Sequence, residues 1–172
     1  YLAAITAVWG DVPHEMICQV AKNFGGVPHR AELVRVLDGV SYYNDSIGTS
    51  PTRTANGTLQ LYDRKIILIA GGYDKHIPYD TLGPIIMDKV KTLILMGATA
   101  DKIEAAVKAA PNYCEQEIVI LHAESMEKAV ALAKEQAQKG DIVSLSPASA
   151  SFDLYPNFEA RGNHFKNIVN EL

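Results

Sequence analysis

Three short segments collect the side chains that could do chemistry. Asp45-Ser46-Ile47-Gly48-Thr49-Ser50 joins a carboxylate to three hydroxyls and runs into Pro51. Gly71-Gly72-Tyr73-Asp74-Lys75 joins two glycines to the one cation in any of the three. Ser146-Pro147-Ala148-Ser149-Ala150-Ser151-Phe152-Asp153 brings serines and a carboxylate. Lys75 supplies a point charge for a carboxylate or phosphate, and Thr49 and Ser151 supply neutral donors. Ser50 suits an N-cap and Pro51 the first helical position, so a positive dipole end is expected beside Thr49. Together these groups suit a small anionic ligand. Singly, each has an ordinary explanation: a tight turn at Gly71-Gly72, a solvated lysine, a capping Asp45, loop-forming serines.

The elements between these segments make them a set. Glu32–Leu37 and Ser41–Asn44 read as strands around the turn Asp38-Gly39. A helix is expected from Pro51 to about Tyr62, then the strand Lys65–Ala70, a helix near Asp80–Val90 and the strand Thr92–Met96. A helix over Ala100–Ala110, the strand Ile118–Leu121, a helix over Met126–Gln138 and the strand Asp141–Leu145 follow. The last helix is expected over Asn163–Leu172. Apolar β-branched runs alternating with amphipathic helices predict an α/β fold: a three-layer αβα domain with a mostly parallel sheet covered on both faces. Ligands of such sheets bind beyond the carboxyl ends of the strands, so the three segments should share one edge.

Two short helical patterns precede this domain. Leu2, Ile5, Val8 and Trp9 mark one face; Ile17, Val20, Ala21 and Phe24 mark another, with Gly10–Pro13 between them. Alone, these helices would leave their apolar faces uncovered. Gly25-Gly26-Val27-Pro28 then marks a boundary. There is no initiator Met and Tyr1 falls inside a helical pattern, so the chain is expected to be part of something longer.

Composition narrows the function. The 172 residues are 48% apolar and 21% charged, enough for a real core. Sixteen Lys and Arg against twenty Asp and Glu give a charge of −4 and no basic stripe, which argues against nucleic acid as a partner. No apolar run reaches the roughly 18–20 residues that cross a bilayer. Cys18 and Cys114 form no CxxC and read as reduced core residues in a cytoplasmic protein. There is no G-x-x-x-x-G-K-[ST], no G-x-G-x-x-G, no H-E-x-x-H and no G-x-S-x-G. The five histidines are scattered and are expected to be structural or exposed.

Val27-Pro28-His29-Arg30-Ala31-Glu32, then Asn44-Asp45-Ser46 with Thr49, then Gly71–Lys75, resemble in order the motifs of the Mur ligase family. The stretch Ser146–Asp153, followed by Asn157-Phe158-Glu159-Ala160-Arg161-Gly162, is the most specific, and resembles the members that add D-glutamate. The resemblance covers essentially the whole chain. It implies a Rossmann-like C-terminal domain that binds the incoming amino acid and closes over ATP. Residues 1–28 would then be the last helices of the central ATPase domain, and residues 29–172 the amino-acid-binding domain. The implied reaction joins D-glutamate to UDP-N-acetylmuramoyl-L-alanine through an acyl phosphate, with ATP and Mg2+ bound mainly by the central domain. Position by position, Thr49, Lys75, Ser151 and Phe158 would hold D-glutamate, while Arg30 and Asp45 would face ATP. No catalytic residue and no metal ligand are carried over. The chain departs from the family at Ile47, where lysine is common, at Ser50, where asparagine is, and at Tyr73, where an acidic residue is. Two alternatives stand beside this: a sister ligase adding another amino acid or glutamate to folate, and a non-catalytic αβα binding module.

Overall fold

A computed structural model describes residues 2–172. Tyr1, read above as lying inside a helix, and the side chain of Leu2 fall outside the described part. The elements follow in the order α1 (Leu2–Trp9), α2 (His14–Asn23), β1 (Glu32–Leu37), β2 (Val40–Asn44), α3 (Pro51–Asn56), β3 (Ile66–Ala70) and α4 (Gly83–Lys89). Then come β4 (Val90–Leu95), α5 (Ala100–Lys108), β5 (Val119–His122), α6 (Met126–Gln136), β6 (Ile142–Leu145) and α7 (Phe158–Glu171).

The strands form one sheet in the order β1-β2-β6-β3-β4-β5. Among these six strands the β1–β2 pair is antiparallel and the other pairs are parallel. It turns at Asp38 (φ 51°) and Gly39 (φ 81°), the two left-handed positions that an Asp-Gly hairpin supplies. β3, with the sequence IILIA, is buried along its whole length, as a central parallel strand must be. Its alternate residues feed two cores. Ile66, Leu68 and Ala70 pack with Leu59, Ile86 and Val107 under α3, α4 and α5. Ile67 and Ile69 pack with Val130, Phe165 and Val169 under α6 and α7. Emptying one such position, as in Phe165→Ala, costs about 3–5 kcal/mol. The edge strand β5 is exposed at Val119 and His122 and partly buried between them. The three-layer α/β architecture read from the sequence is the one observed. Among the described residues no helix is long and apolar enough to cross a membrane.

Most boundaries shift by one to three residues, and two differ by more. The helix after Ser50 stops at Asn56; Gly57 (φ −104°, ψ −82°) breaks it, and Thr58–Leu61 continues as a 3-10 turn. The last helix begins at Phe158, five residues earlier than expected. Asn157 caps it, its side chain accepting from the Ala160 amide at 2.7 Å. Gly162 lies inside this helix for a packing reason. A Cβ there would fall 2.3 Å from His29 Nδ1.

α1 and α2 stand apart in character. No residue of α2 is buried, and Ile5, Val8, Met16, Val20 and Phe24 are exposed, with Trp9 at 86%.

Candidate functional site

The three segments do share an edge. β2, β6 and β3 are neighbours, and hydrogen bonds continue past their ends. The Asp45 amide donates to Leu145 O at 2.8 Å, Ser146 N to Ile69 O at 3.1 Å, Gly71 N to Pro147 O at 2.8 Å and Tyr73 N to Ala150 O at 2.9 Å. The close approach requires glycine. A Cβ on Gly71 (φ 108°) would lie 2.0 Å from Met96 O, and one on Gly72 (φ 148°) 2.2 Å from Ala150 O. These residues therefore bring the loops together as well as turning the chain.

Beneath the surface the hydroxyls tie the loops to one another. Ser149 Oγ lies 2.8 Å from both Tyr79 Oη and Thr99 Oγ1, and Thr99 Oγ1 accepts from the Gly72 amide at 3.0 Å. Ser146 Oγ donates to Asp45 Oδ2 at 3.1 Å and lies 3.1 Å from Thr54 Oγ1. Ser146 and Ser149 are buried structural hydroxyls.

Above them opens a cleft of about 330 Å³. It is lined by Thr49, Lys75, Ser151 and Phe158, together with Ala150, Phe152, Asn157 and Glu159. The four residues expected to hold the amino acid thus meet in one place. Lys75 is exposed and makes no ion pair among the described residues. Its neighbour Asp74 does not neutralise it, because Asp74 pairs with Lys102 and accepts from the His76 amide at 2.8 Å. Those contacts, Lys102 first and the His76 amide second, hold the Asp74 carboxyl below the usual range. Ser151 is 2% exposed, and its hydroxyl has no hydrogen-bond partner among the described residues. Tyr73 and Phe152 meet edge to face at 6.0 Å beside the cleft. Besides the Arg30 cleft described below, two larger grooves are present, of about 520 Å³ between His76–Asp80 and α5 and about 530 Å³ between α1 and α2. The first holds Lys102, already paired with Asp74, and the second is apolar, so neither gathers unpaired donors.

Asp45 sits differently from Lys75. Its side chain has no exposed surface. Oδ1 accepts from the Ala31 amide at 3.0 Å and from Arg53 at 3.3 Å; Oδ2 accepts from the hydroxyls of Thr58 and Ser146. All four donors belong to the protein, so a ribose hydroxyl would have to displace one of them. Through Ala31, Asp45 holds the turn that carries Arg30. That turn is strained, with His29 at φ 62° and Ala31 at φ 43°. Glu32 supports it from the other side, accepting from the His29 amide at 2.9 Å and from Asn44 at 3.1 Å, and pairing with Lys166 at 3.1 Å. Burial pushes the Glu32 carboxyl up, but these donors outweigh it and leave it below its ordinary value. Arg30 itself is exposed and lines a separate cleft of about 370 Å³ with Gly25–Pro28.

Several residues here were given no role from the sequence, although His29 and Arg161 lie in the family motifs. His29 is buried, its Nδ1 accepts from Asn44 Nδ2 at 2.9 Å and its ring meets Phe158 edge-on at 5.9 Å. Arg53 pairs with Asp45, and Arg161 lies buried between the loops. None belongs to a pattern that spacing alone would flag.

A sequence model of the Mur ligase glutamate ligase domain matches residues 29–149. The UDP-N-acetylmuramoylalanine--D-glutamate ligase of Clostridium acetobutylicum is 56% identical over the full chain, and that of Clostridium perfringens 48%. A Clostridium botulinum enzyme of the same name is 54% identical over 99% of the chain. In each case the chain spans 37% of the relative's length. Among solved structures, a murein peptide ligase from Psychrobacter arcticus superimposes with a TM-score of 0.54 at 16% identity, over 91% of this chain and 33% of its own. The folylpolyglutamate synthase of Mycobacterium tuberculosis gives 0.53 at 14% identity, over 81% and 32%. Both share the fold. The ordered loops, the glycines that let them meet and the match over residues 29–149 have one explanation: the chain belongs to the Mur ligase family.

Proposed function

We propose that this chain is the amino-acid-binding part of an ATP-dependent ligase that adds D-glutamate to UDP-N-acetylmuramoyl-L-alanine. The observation that carries this is the cleft: an unpaired lysine and two hydroxyl residues converge at the carboxyl edge of a parallel sheet. The family membership and the names of the relatives support the substrate choice.

In this reading Lys75 binds a carboxylate of the incoming amino acid by a charge-assisted hydrogen bond. Thr49 and Ser151 add neutral donors, and the backbone at Phe158 offers the start of α7. Glu159 is the one carboxylate lining the cleft and suits the ammonium group. The muramoyl-alanine carboxylate takes the γ-phosphoryl group of ATP, giving an acyl phosphate and ADP. The D-glutamate amine attacks that carbonyl, phosphate leaves with the bond electrons, and the amine gives up a proton. The contribution of this chain is position and charge.

Arg30, exposed and without an ion-pair partner among the described residues, suits a phosphate at the edge of the nucleotide site. Asp45 acts one step back, holding the Arg30 turn. Mg2+ and the phosphate-cradling loop belong to the rest of the enzyme. The one metal-compatible group among the described residues, Asp101, Glu104 and His122, lies on α5 and β5, and Glu104 is engaged by Lys108 and His122. Residues 1–28 are the end of the central ATPase domain, which would cover the apolar groove of α1 and α2, and residues 29–172 are the amino-acid domain. The nucleotide-linked substrates imply a cytoplasmic enzyme.

The test is ATP-dependent phosphate release by the full-length enzyme with UDP-N-acetylmuramoyl-L-alanine and a panel of amino acids. Turnover with D-glutamate alone is expected, and none from the 172-residue chain. Preference for another amino acid would replace the reading with a sister ligase.

A further inference from the structure

We propose that Arg161 is a positioning residue for the amino-acid cleft: its guanidinium holds the loops bearing Thr49 and Ser151 and the first turn of α7 in one arrangement. The proposal rests on the function above and adds a residue to it.

Arg161 is 2% exposed. Nε donates to Ser46 Oγ at 3.0 Å, and Nη2 to Ser46 O at 2.9 Å and Ser149 O at 3.2 Å. Nη1 donates to Ser149 O at 3.2 Å and Ala150 O at 2.9 Å. Ser46 Oγ in turn donates to Phe158 O at 2.8 Å. One planar group therefore touches the segment three residues before Thr49, the segment next to Ser151 and, through Ser46, Phe158 itself. The loop leading to Lys75 joins as well. Tyr73 N donates to the same Ala150 carbonyl, and Gly72 packs so close that a Cβ would lie 3.1 Å from Nη1. The segments that carry all four cleft residues are therefore tied to this one side chain, directly or through one neighbour.

The acceptors are all neutral. No carboxylate pairs with Arg161 among the described residues, although burying a lone guanidinium is costly and an apolar side chain would fill the space. Burial pushes its pKa down to about 10, against a smaller opposing pull from the Asp153 carboxylate, so the charge persists at neutral pH. A positive charge below the cleft favours a dicarboxylate above it. Drawing the Ala150 carbonyl inward also turns the Ser151 amide away from the guanidinium, because the trans peptide sets N–H opposite C=O. That amide donates to no acceptor among the described residues.

The experiment compares full-length wild type with Arg161→Lys, Arg161→Ala and the milder Ser46→Ala in steady-state ligation, with thermal melts alongside. Lysine keeps the charge but offers three donors instead of five. The expected result is a KM for D-glutamate raised about tenfold or more in Arg161→Lys, with the KM for ATP within about threefold. Ser46→Ala should show the same split at smaller size. Added methylguanidinium should lower the KM of Arg161→Ala toward wild type. An unchanged KM for D-glutamate in variants that fold would overturn the proposal. So would equal rises for both substrates that track the loss of folded protein. Wild-type enzyme without D-glutamate turnover would overturn the functional reading, and this proposal with it.

Discussion

Asp45→Ala should destabilise the chain by about 3–4 kcal/mol. The carboxylate removed has no exposed surface and accepts from four donors. One of these can find a new partner: Ser146 Oγ already lies 3.1 Å from Thr54 Oγ1. Arg53 donates to Thr58 Oγ1 at 3.4 Å and cannot accept from it, so the Thr58 hydroxyl must rotate to another acceptor. The Ala31 amide and the Arg53 guanidinium are left as well. Each stranded donor costs about 1–3 kcal/mol. Arg53 is 29% exposed and can turn to water, so its share is discounted. The total falls at the lower end of the roughly 3–5 kcal/mol seen when a buried pair loses one partner. For a domain of this size that lowers Tm by about 6–16 °C. Asp45→Asn should cost only about 1–2 kcal/mol, because the amide oxygen keeps Ala31 and Arg53 while its NH2 donates to hydroxyls that can rotate. Urea and thermal unfolding followed by circular dichroism measure both. A Tm for Asp45→Ala within about 2 °C of wild type, together with a large rise in the KM for ATP, would refute the structural role and make Asp45 a nucleotide ligand.

Three further outcomes are expected. Gly72→Ala should cost about 1–3 kcal/mol, since its φ is 148° and the new Cβ would meet Ala150 O at 2.2 Å; an unchanged Tm would mean the two loops move apart freely. Glu32 has a depressed folded pKa, so its stabilisation is present above its ordinary value of 4.5 and is lost as pH falls through the folded value. The Tm gap between wild type and Glu32→Gln should therefore be widest near neutral pH and close in acid, and a constant gap would contradict this. In hydrogen exchange α1 and α2 should lose protection long before β3, and equal protection in a proven monomer would show that their apolar faces are covered within this chain.

How much of this was readable in advance follows from which signals are local. The sheet, its two covered faces and the shared edge of three loops come from short apolar runs such as IILIA and from a topological rule, so the sequence carries them. The meeting of Thr49, Lys75, Ser151 and Phe158 was implied by the family motifs, and the fold shows why they meet. The role of Asp45 was not legible, because its four donors come from Ala31, Arg53, Thr58 and Ser146, scattered over the chain. Arg161 falls in the most specific family motif, but nothing in that motif states its role. A charged residue on an amphipathic helix reads as solvated, and the adjacent Gly162 reads as a helix breaker until His29 is seen against it.

The central claim is that the cleft around Lys75 takes the incoming amino acid, and steady-state kinetics of Lys75→Ala in the full-length enzyme test it most directly. Lys75 is exposed and makes no ion pair among the described residues, so its loss should leave Tm unchanged within about 1–2 °C. Removing one charge-assisted hydrogen bond costs about 1.5–3 kcal/mol, which is roughly a tenfold to hundredfold rise in the KM for D-glutamate with the KM for ATP nearly constant. An unchanged KM for D-glutamate at normal turnover would contradict the account and leave the cleft without its anchor.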